Sequence, residues 1–338
     1  MKFMDVGPMG DQISSIAELL KSKDKISVLT HNTADGDTLG SGIAISIALN
    51  SLGKDVSLIY EEDFPDNLSV LRTDHDFYVY LPDNEARVMD CRWDAVAVID
   101  TADPKLLGKR EQILGKTDCV VNIDHHISNN GYGNHNLIDV SVSATAEIAY
   151  HLIMELGVPL DSDMALSIYT GICTDTGGFS YSNTTGMCHK IAARTLDFGI
   201  DVAGLRYKFF DAITLGKLHC HGYVANTLTI HDDGKYAIAV VSAATLAEFG
   251  ATEEDCEGLV NIGRNVTGVE ASLFAREVRP GEFRINLRSR GNIDVSKIAR
   301  KFNGGGHKTA AGCILAAEPH EVRSILLNAL RNTSDCND

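Results

Sequence analysis

No apolar run in this sequence is long enough to cross a bilayer; the longest are interrupted by polar residues well short of the ~20 that a membrane helix needs. The opening stretch "MKFMDVGPMGDQISS" lacks the long apolar core of a signal peptide. Both absences predict a cytoplasmic protein with no membrane partner. Regular cysteine spacing is missing too. Cys91, Cys119, Cys173, Cys188, Cys220, Cys256, Cys313 and Cys336 form no CxxC, which argues against a zinc knuckle or a disulfide framework and suits a reducing compartment. Basic residues are scarce: 30 Lys and Arg stand against 46 Asp and Glu, a formal charge of -16. Such a balance speaks against a broad basic face and therefore against long duplex nucleic acid. A short RNA or a small nucleotide remains open, because metal ions and a few arginines can neutralise phosphate locally. Low-complexity segments and short-period repeats are also absent.

What is present is an ordinary globular composition, 44% hydrophobic and 22% charged over 338 residues, enough for two domains with separate cores. After an amphipathic helix at 12–22, "KISVLT" (25–30) reads as a buried strand and "TLGSGIAISIALNSLG" as a helix closed by Gly53. "KDVSLIY" is a second strand, residues 61–90 read as irregular with Pro65 and Pro82, and "DAVAVID" and "CVVNIDHH" are two more strands. Apolar strands separated by helical patterns predict a parallel sheet with helices on both faces. Helices at 143–157 and 161–177 follow, and further helices run to about residue 230. Composition then shifts. "KYAIAVVS", "VEASLFAREV" and "EFRINLRSR" read as strands, with helices near 252–262 and 294–302, giving a smaller α/β domain of mixed or antiparallel sheet. The expected domains are 1–215, a linker helix to about 230, and 231–338.

The stretch "HNTADGDTLGS" (31–41) places His31, Asp35 and Asp37 together where a strand should end. Crowded carboxylates repel each other, and a bound cation would offset that cost. Asp100, Asp124, His125 and His126 also fall at predicted strand ends, and Asp175 in "CTDTGGF" follows a helix. Ligands in such sheets collect beyond the carboxyl ends of the strands. Carboxylate oxygen with imidazole nitrogen suits manganese, iron or zinc better than magnesium, and mixed Asp/His sets of this kind hold paired ions in two-metal phosphoesterases. Asp35-Gly-Asp37 lets a turn aim each acid at a different ion, with Gly36 expected to permit unusual backbone angles. Taken singly, each piece has a plainer reading: a helix N-cap, a surface histidine pair, a cap before Pro104, an Asx-turn. Their joint placement favours metal.

The order HxxxDxD, Asp after an apolar strand, DHH, then TDTGxF resembles the DHH phosphoesterase superfamily, and "GGGHKTAAG" (304–312) resembles the signature of its DHHA1 substrate domain. The resemblance spans about residues 15–330 and is nearest to the NrnA-like branch, whose members cleave very short RNA and dephosphorylate 3′-phosphoadenosine 5′-phosphate (pAp). It implies two divalent ions, most readily Mn2+: His31 and Asp35 on one, Asp37, His125 and Asp175 on the other, Asp100 bridging. A water between the ions would attack phosphorus. Asp124 would orient a ligand imidazole, and His126 would face the scissile phosphate. Three positions depart from the pattern. Ala34 stands where many relatives have Pro, and Gly178 and Ser180 stand where many carry a basic residue beside TDTG.

"FNGGGHKTAAGC" reads locally as a strand-to-helix turn needing positive φ, or as a backbone cradle in which Gly304, Gly305 and Gly306 approach a phosphate and His307 meets the nucleotide. Arg288 and Arg290 share one strand face, and in the family context Arg288 is the expected phosphate contact, with Arg264 beside it. The resemblance thus implies a manganese-dependent enzyme acting on short RNA or pAp, its second domain holding the substrate's far end across a cleft. Alternatives are a cyclic- or linear-dinucleotide phosphodiesterase, an inorganic pyrophosphatase or exopolyphosphatase, and a non-catalytic nucleotide-binding module. A homodimer is left open.

Overall fold

The computed structural model of the chain describes residues 9–334. Its contacts divide between Ala212 and Ile213 into two units. Among the described residues no helix is long and apolar enough to cross a membrane. The seven described cysteines are all free, and Cys336 lies outside the described residues.

The first unit runs α1 (Gly10–Lys21), β1 (Lys25–Leu29), α2 (Gly36–Ser51), β2 (Asp55–Tyr60), β3 (Tyr78–Tyr80), α3 (Leu81–Asp90), β4 (Ala95–Ile99), a 3-10 segment (Pro104–Lys116), β5 (Val120–Asp124), β6 (His135–Ile138), α4 (Thr145–Leu156), α5 (Ser162–Asp175), α6 (Gly186–Leu196) and α7 (Val202–Arg206). Its six strands are all parallel in the order β3-β2-β1-β4-β5-β6. The order turns back between β1 and β4, and such a switch opens a crevice at the strands' carboxyl ends. β1, β4 and β5 finish level there, with Leu29 opposite Val98 and Ile99 opposite Ile123.

Two parts of this sheet escape a reading by periodicity. Residues 61–90 are not irregular: a 3-10 turn, β3 and α3 lie there, with Pro82 at the start of α3, where a missing N–H costs nothing. β6 is four residues long with a single buried side chain, too short to announce itself.

α2 is buried almost all round, wedged between the sheet and α4 and α5. Its glycines allow this. A Cβ on Gly40 would stand 2.3 Å from the Ser167 carbonyl oxygen of α5, and one on Gly36 would stand 2.3 Å from Thr174 Oγ1. Gly36 is helical, not one of the positive-φ residues, so close approach and not an unusual angle is what requires glycine there. Gly40→Ala should therefore overpack the α2–α5 contact and cost ~1–3 kcal/mol, read as a lower denaturant midpoint with an unchanged slope.

The second unit contains α8 (Leu215–Thr227), β7 (Thr229–His231), β8 (Tyr236–Val241), α9 (Ala243–Glu248), α10 (Val260–Arg264), β9 (Ala271–Arg279), β10 (Glu282–Ser289), α11 (Val295–Arg300), β11 (Gly305–His307), β12 (Ala310–Ala316) and α12 (Val322–Ser334). Its sheet, β11-β12-β10-β9-β8-β7, is mixed: β8 and β9 are parallel and every other pair is antiparallel. One face packs Phe283, Ile285 and Leu287 against α11 and α12, and the other buries Phe274 with residues of α8, α9 and α10. The expected helix over 252–262 is instead a 3-10 turn followed by the five-residue α10.

Candidate metal centre

Each acid and imidazole is placed by backbone that the sheet holds in register. His31 follows β1, Asp35 is the N-cap of α2, and Asp37 lies in that helix's first turn. Asp35 Oδ1 accepts the N–H groups of Asp37 and Thr38 at 3.1 and 3.0 Å, which leaves Oδ2 free to face His31 Nε2 at 3.8 Å. Asp100 follows β4 with φ of +54, a left-handed angle that aspartate tolerates better than most residues. Asp124 ends β5, His125 and His126 follow it, and Asp175 ends α5.

The two oxygens of Asp100 point to different partners. Oδ2 lies 3.7 Å from His31 Nε2, and Oδ1 lies 3.8 Å from His125 Nε2. His125 Nε2 is also 3.9 Å from Asp37 Oδ2 and 3.6 Å from Asp175 Oδ2. Donor atoms of His31, Asp35 and Asp100 lie within 4.8 Å of one another, and so do those of Asp37, His125 and Asp175. A third such group joins Asp100, His125 and His126. There, however, His126 Nδ1 is 2.8 Å from Asp124 Oδ1, so that nitrogen is already engaged.

The electrostatics favour a cation. Burial pushes the Asp37 carboxyl well above the usual carboxylate range, and Asp100, Asp175 and Asp35 push it further. Burial and the Asp35 charge raise Asp100 in the same way, and burial raises Asp175. Burial lowers the His31 imidazole, keeping it neutral and able to coordinate. Crowded carboxylate oxygens facing imidazole nitrogens are an oxygen–nitrogen donor set suited to divalent transition ions. Asp124 differs. Burial alone would raise it, yet hydrogen bonds from His126 and Asn129 overcome this and hold it below the ordinary value. In return, the hydrogen bond to Asp124 lifts His126 to about 9, so an imidazolium half-exposed to solvent stands beside the cluster at neutral pH.

Thr145 is the residue that sequence reasoning missed. Its hydroxyl donates to Asp100 Oδ1 at 2.8 Å and its N–H to Asp37 Oδ2 at 2.7 Å, while the Ala146 N–H reaches Asp37 Oδ1 at 2.9 Å. Asp37 thereby caps α4, whose own N-cap, Ala144, has no side chain able to do so. Ala144 at the cap, where Ser, Thr, Asp or Asn is preferred, shows only that no local side chain serves there; it does not point to Asp37.

In the second unit, "GGGH" is not a strand-to-helix turn: Gly305–His307 form the edge strand β11, hairpinned onto β12. Cβ atoms on Gly304 and Gly306 would meet β12 backbone at 2.2 and 2.5 Å, so the hairpin itself requires both; only Gly305 has open space above it. Directly paired residues share a face. Arg288 pairs with Ala310, and Ala310 with His307, so Arg288 and His307 lie on one face two strand spacings apart (~10 Å). Arg264 ends α10, and its carbonyl accepts from Arg290 at 3.1 and 3.3 Å, which gives Arg290 a structural duty.

A doubly wound α/β unit with a carboxylate–imidazole cluster of metal-holding geometry, joined to a mixed-sheet unit with a glycine-rich edge hairpin, defines a class of phosphoesterase-like proteins. The DHH family N-terminal domain profile matches residues 25–172 and the DHHA1 domain profile residues 233–332. The chain is 32% identical over 312 residues to the bifunctional oligoribonuclease and PAP phosphatase NrnA of Thermus thermophilus, covering 90% of this chain and 89% of that protein. It is 30% identical over 220 residues to the Bacillus subtilis protein of the same name, covering 64% and 68%. The crystal structure of an exopolyphosphatase-related protein from Bacteroides fragilis superposes with a TM-score of 0.83 at 26% identity, covering 98% of this chain and 99% of that one. This chain belongs to the DHH/DHHA1 phosphoesterase family, in its NrnA-like branch.

Proposed function

We propose that this protein is a manganese-dependent, two-metal phosphoesterase that hydrolyses short oligoribonucleotides and the 3′-phosphate of pAp. The observation that carries this reading is Asp100, whose two oxygens face two separate donor groups. His31 and Asp35 would hold one ion, Asp37, His125 and Asp175 the other, and Asp100 both. Divalent ions held there supply Lewis-acid charge to a phosphoryl group. The chain's own residues do the rest. Thr145 fixes the rotamers of Asp37 and Asp100. Asp124 holds His126 protonated, with Nδ1 anchored and Nε2 left to donate to a phosphate oxygen or to the leaving oxygen. Arg288 and His307, with the open backbone at Gly305 and with Arg264, would hold the nucleotide. The relatives named as oligoribonuclease and PAP phosphatase support this choice of substrate.

A panel in manganese tests it: a dinucleotide, pAp, cyclic and linear di-guanylate, polyphosphate, and single-stranded RNA beyond twenty nucleotides. We expect turnover of the dinucleotide and pAp to exceed that of polyphosphate and of long RNA, and manganese to outperform magnesium. The charge of -16 leaves few cations for the extra phosphates of a long strand. Preference for polyphosphate would transfer the chain to the pyrophosphatase alternative, and equal turnover of long RNA would remove the length preference.

A further inference from the structure

The loop after Asp175 carries two groups that the metal centre does not use. Gly177, Gly178 and Phe179 have successive φ angles of +56, +66 and +63. Glycine takes such angles freely, but at Phe179 the angle is costly, and the turn is clamped on several sides. Thr176 Oγ1 accepts the Phe179 N–H at 3.0 Å, and the Thr176 carbonyl accepts from Ser180 and Tyr181 at 2.9 and 3.0 Å. The Phe179 ring stacks on His189 with centroids 4.9 Å apart.

This turn seats Tyr181 on bare backbone. A Cβ on Gly177 would fall 2.4, 2.5 and 2.6 Å from three atoms of the Tyr181 ring, so the ring lies face-on over the glycine. Even so, the tyrosine is 63% exposed. On the next residue a guanidinium takes the same kind of vacancy: a Cβ on Gly178 would stand 3.0 Å from Arg206 Nη1. Arg206 is steered there by Asp211, which accepts from Nε at 3.1 and 3.3 Å, and by the Phe210 ring, 5.0 Å beneath its Cζ. Among the described residues nothing accepts from Nη1 or Nη2. A plane offered to a nucleobase beside a guanidinium offered to phosphate is the chemistry by which proteins hold single-stranded nucleotides.

We infer that Tyr181 and Arg206 form a nucleotide subsite on the first unit, Tyr181 stacking a base of the substrate and Arg206 binding a phosphate other than the one that reacts. The inference rests on the phosphoesterase reading above and adds two substrate contacts to it.

Three substrates separate the roles: 5′-phosphorylated diadenylate, its analogue lacking the bases, and adenosine 5′-(p-nitrophenyl phosphate), which has one phosphate only. Tyr181→Leu should raise KM about tenfold or more for both base-bearing substrates and leave the abasic analogue unchanged. Tyr181→Phe should restore the wild-type KM. Arg206→Gln should raise KM for the two diphosphorylated substrates and spare the single-phosphate ester. All variants should melt with the wild type, because both side chains are largely exposed. Wild-type turnover with unaltered KM in Tyr181→Leu and Arg206→Gln overturns the subsite alone, and so does an equal KM increase on all three substrates. Failure of the wild type to cleave any of the three removes the phosphoesterase reading, and the subsite with it.

Discussion

Replacing Asp100 by Asn should strip the protein of both cations and of nearly all its turnover. Asn is the informative choice because it tolerates the left-handed angle, φ +54, at that position and still accepts the Thr145 hydroxyl. What it removes is the charge that both donor groups face. Loss of Lewis-acid stabilisation on both ions amounts to several kcal/mol, about a thousandfold or more in turnover. Metal analysis after gel filtration should find two manganese per wild-type chain and fewer than one in Asp100→Asn. Two retained equivalents would show that Asp100 bridges nothing.

Chelation should lower the melting temperature, and the loss should depend on pH. Asp37, Asp100 and Asp175 are each raised from the ordinary carboxylate value in the folded state, Asp37 and Asp100 well above it, burial being the largest cause in each. Without metal the folded state therefore binds more protons than the unfolded chain. The stability these groups contribute is fully present below the unfolded carboxylate value near 4, and it is lost as pH rises through their raised values. Cations reverse this by making the charged forms favourable. Manganese at about a hundred times its dissociation constant should add ~2.7 kcal/mol at neutral pH, and much less at pH 5, where protons compete for the same oxygens. Scanning calorimetry at both pH values with and without manganese gives the comparison. A shift of equal size at pH 5 and pH 7.5 would contradict a site built on these carboxylates.

Much of the centre was legible because strand ends are legible. An apolar run such as "AVAVI" reads as a buried strand, so the Asp that follows emerges at the sheet's carboxyl end. The clamps on those acids were not. Thr145 lies far along the chain from both Asp37 and Asp100, and nothing in local pattern says that the first turn of one helix will be capped by the first turn of another. The same limit hid the reason for Gly36 and Gly40, which depends on how closely α5 approaches α2.

Short elements mark the other boundary. β3, β6 and β11 have three or four residues each, below the length at which alternation can be read, and they exist because a longer neighbour offers a free edge. "GGGH" shows the difference most clearly. Composition said that glycine was needed; pairing with β12 determined that two of the three glycines serve the hairpin and one stays open.

Periodicity and motif order by themselves pointed to the parallel sheet, the two-part chain and the acids and imidazoles that the structure brings together, because apolar runs and the polar residues that end them are read within a few residues. Tertiary structure alone decided which oxygen of Asp100 faces which imidazole, that Asp124 anchors His126 Nδ1, and that Tyr181 and Arg206 fill the space above two adjacent glycines. Those facts depend on distance and burial between segments remote in the chain, and distance and burial exist only once the chain has folded.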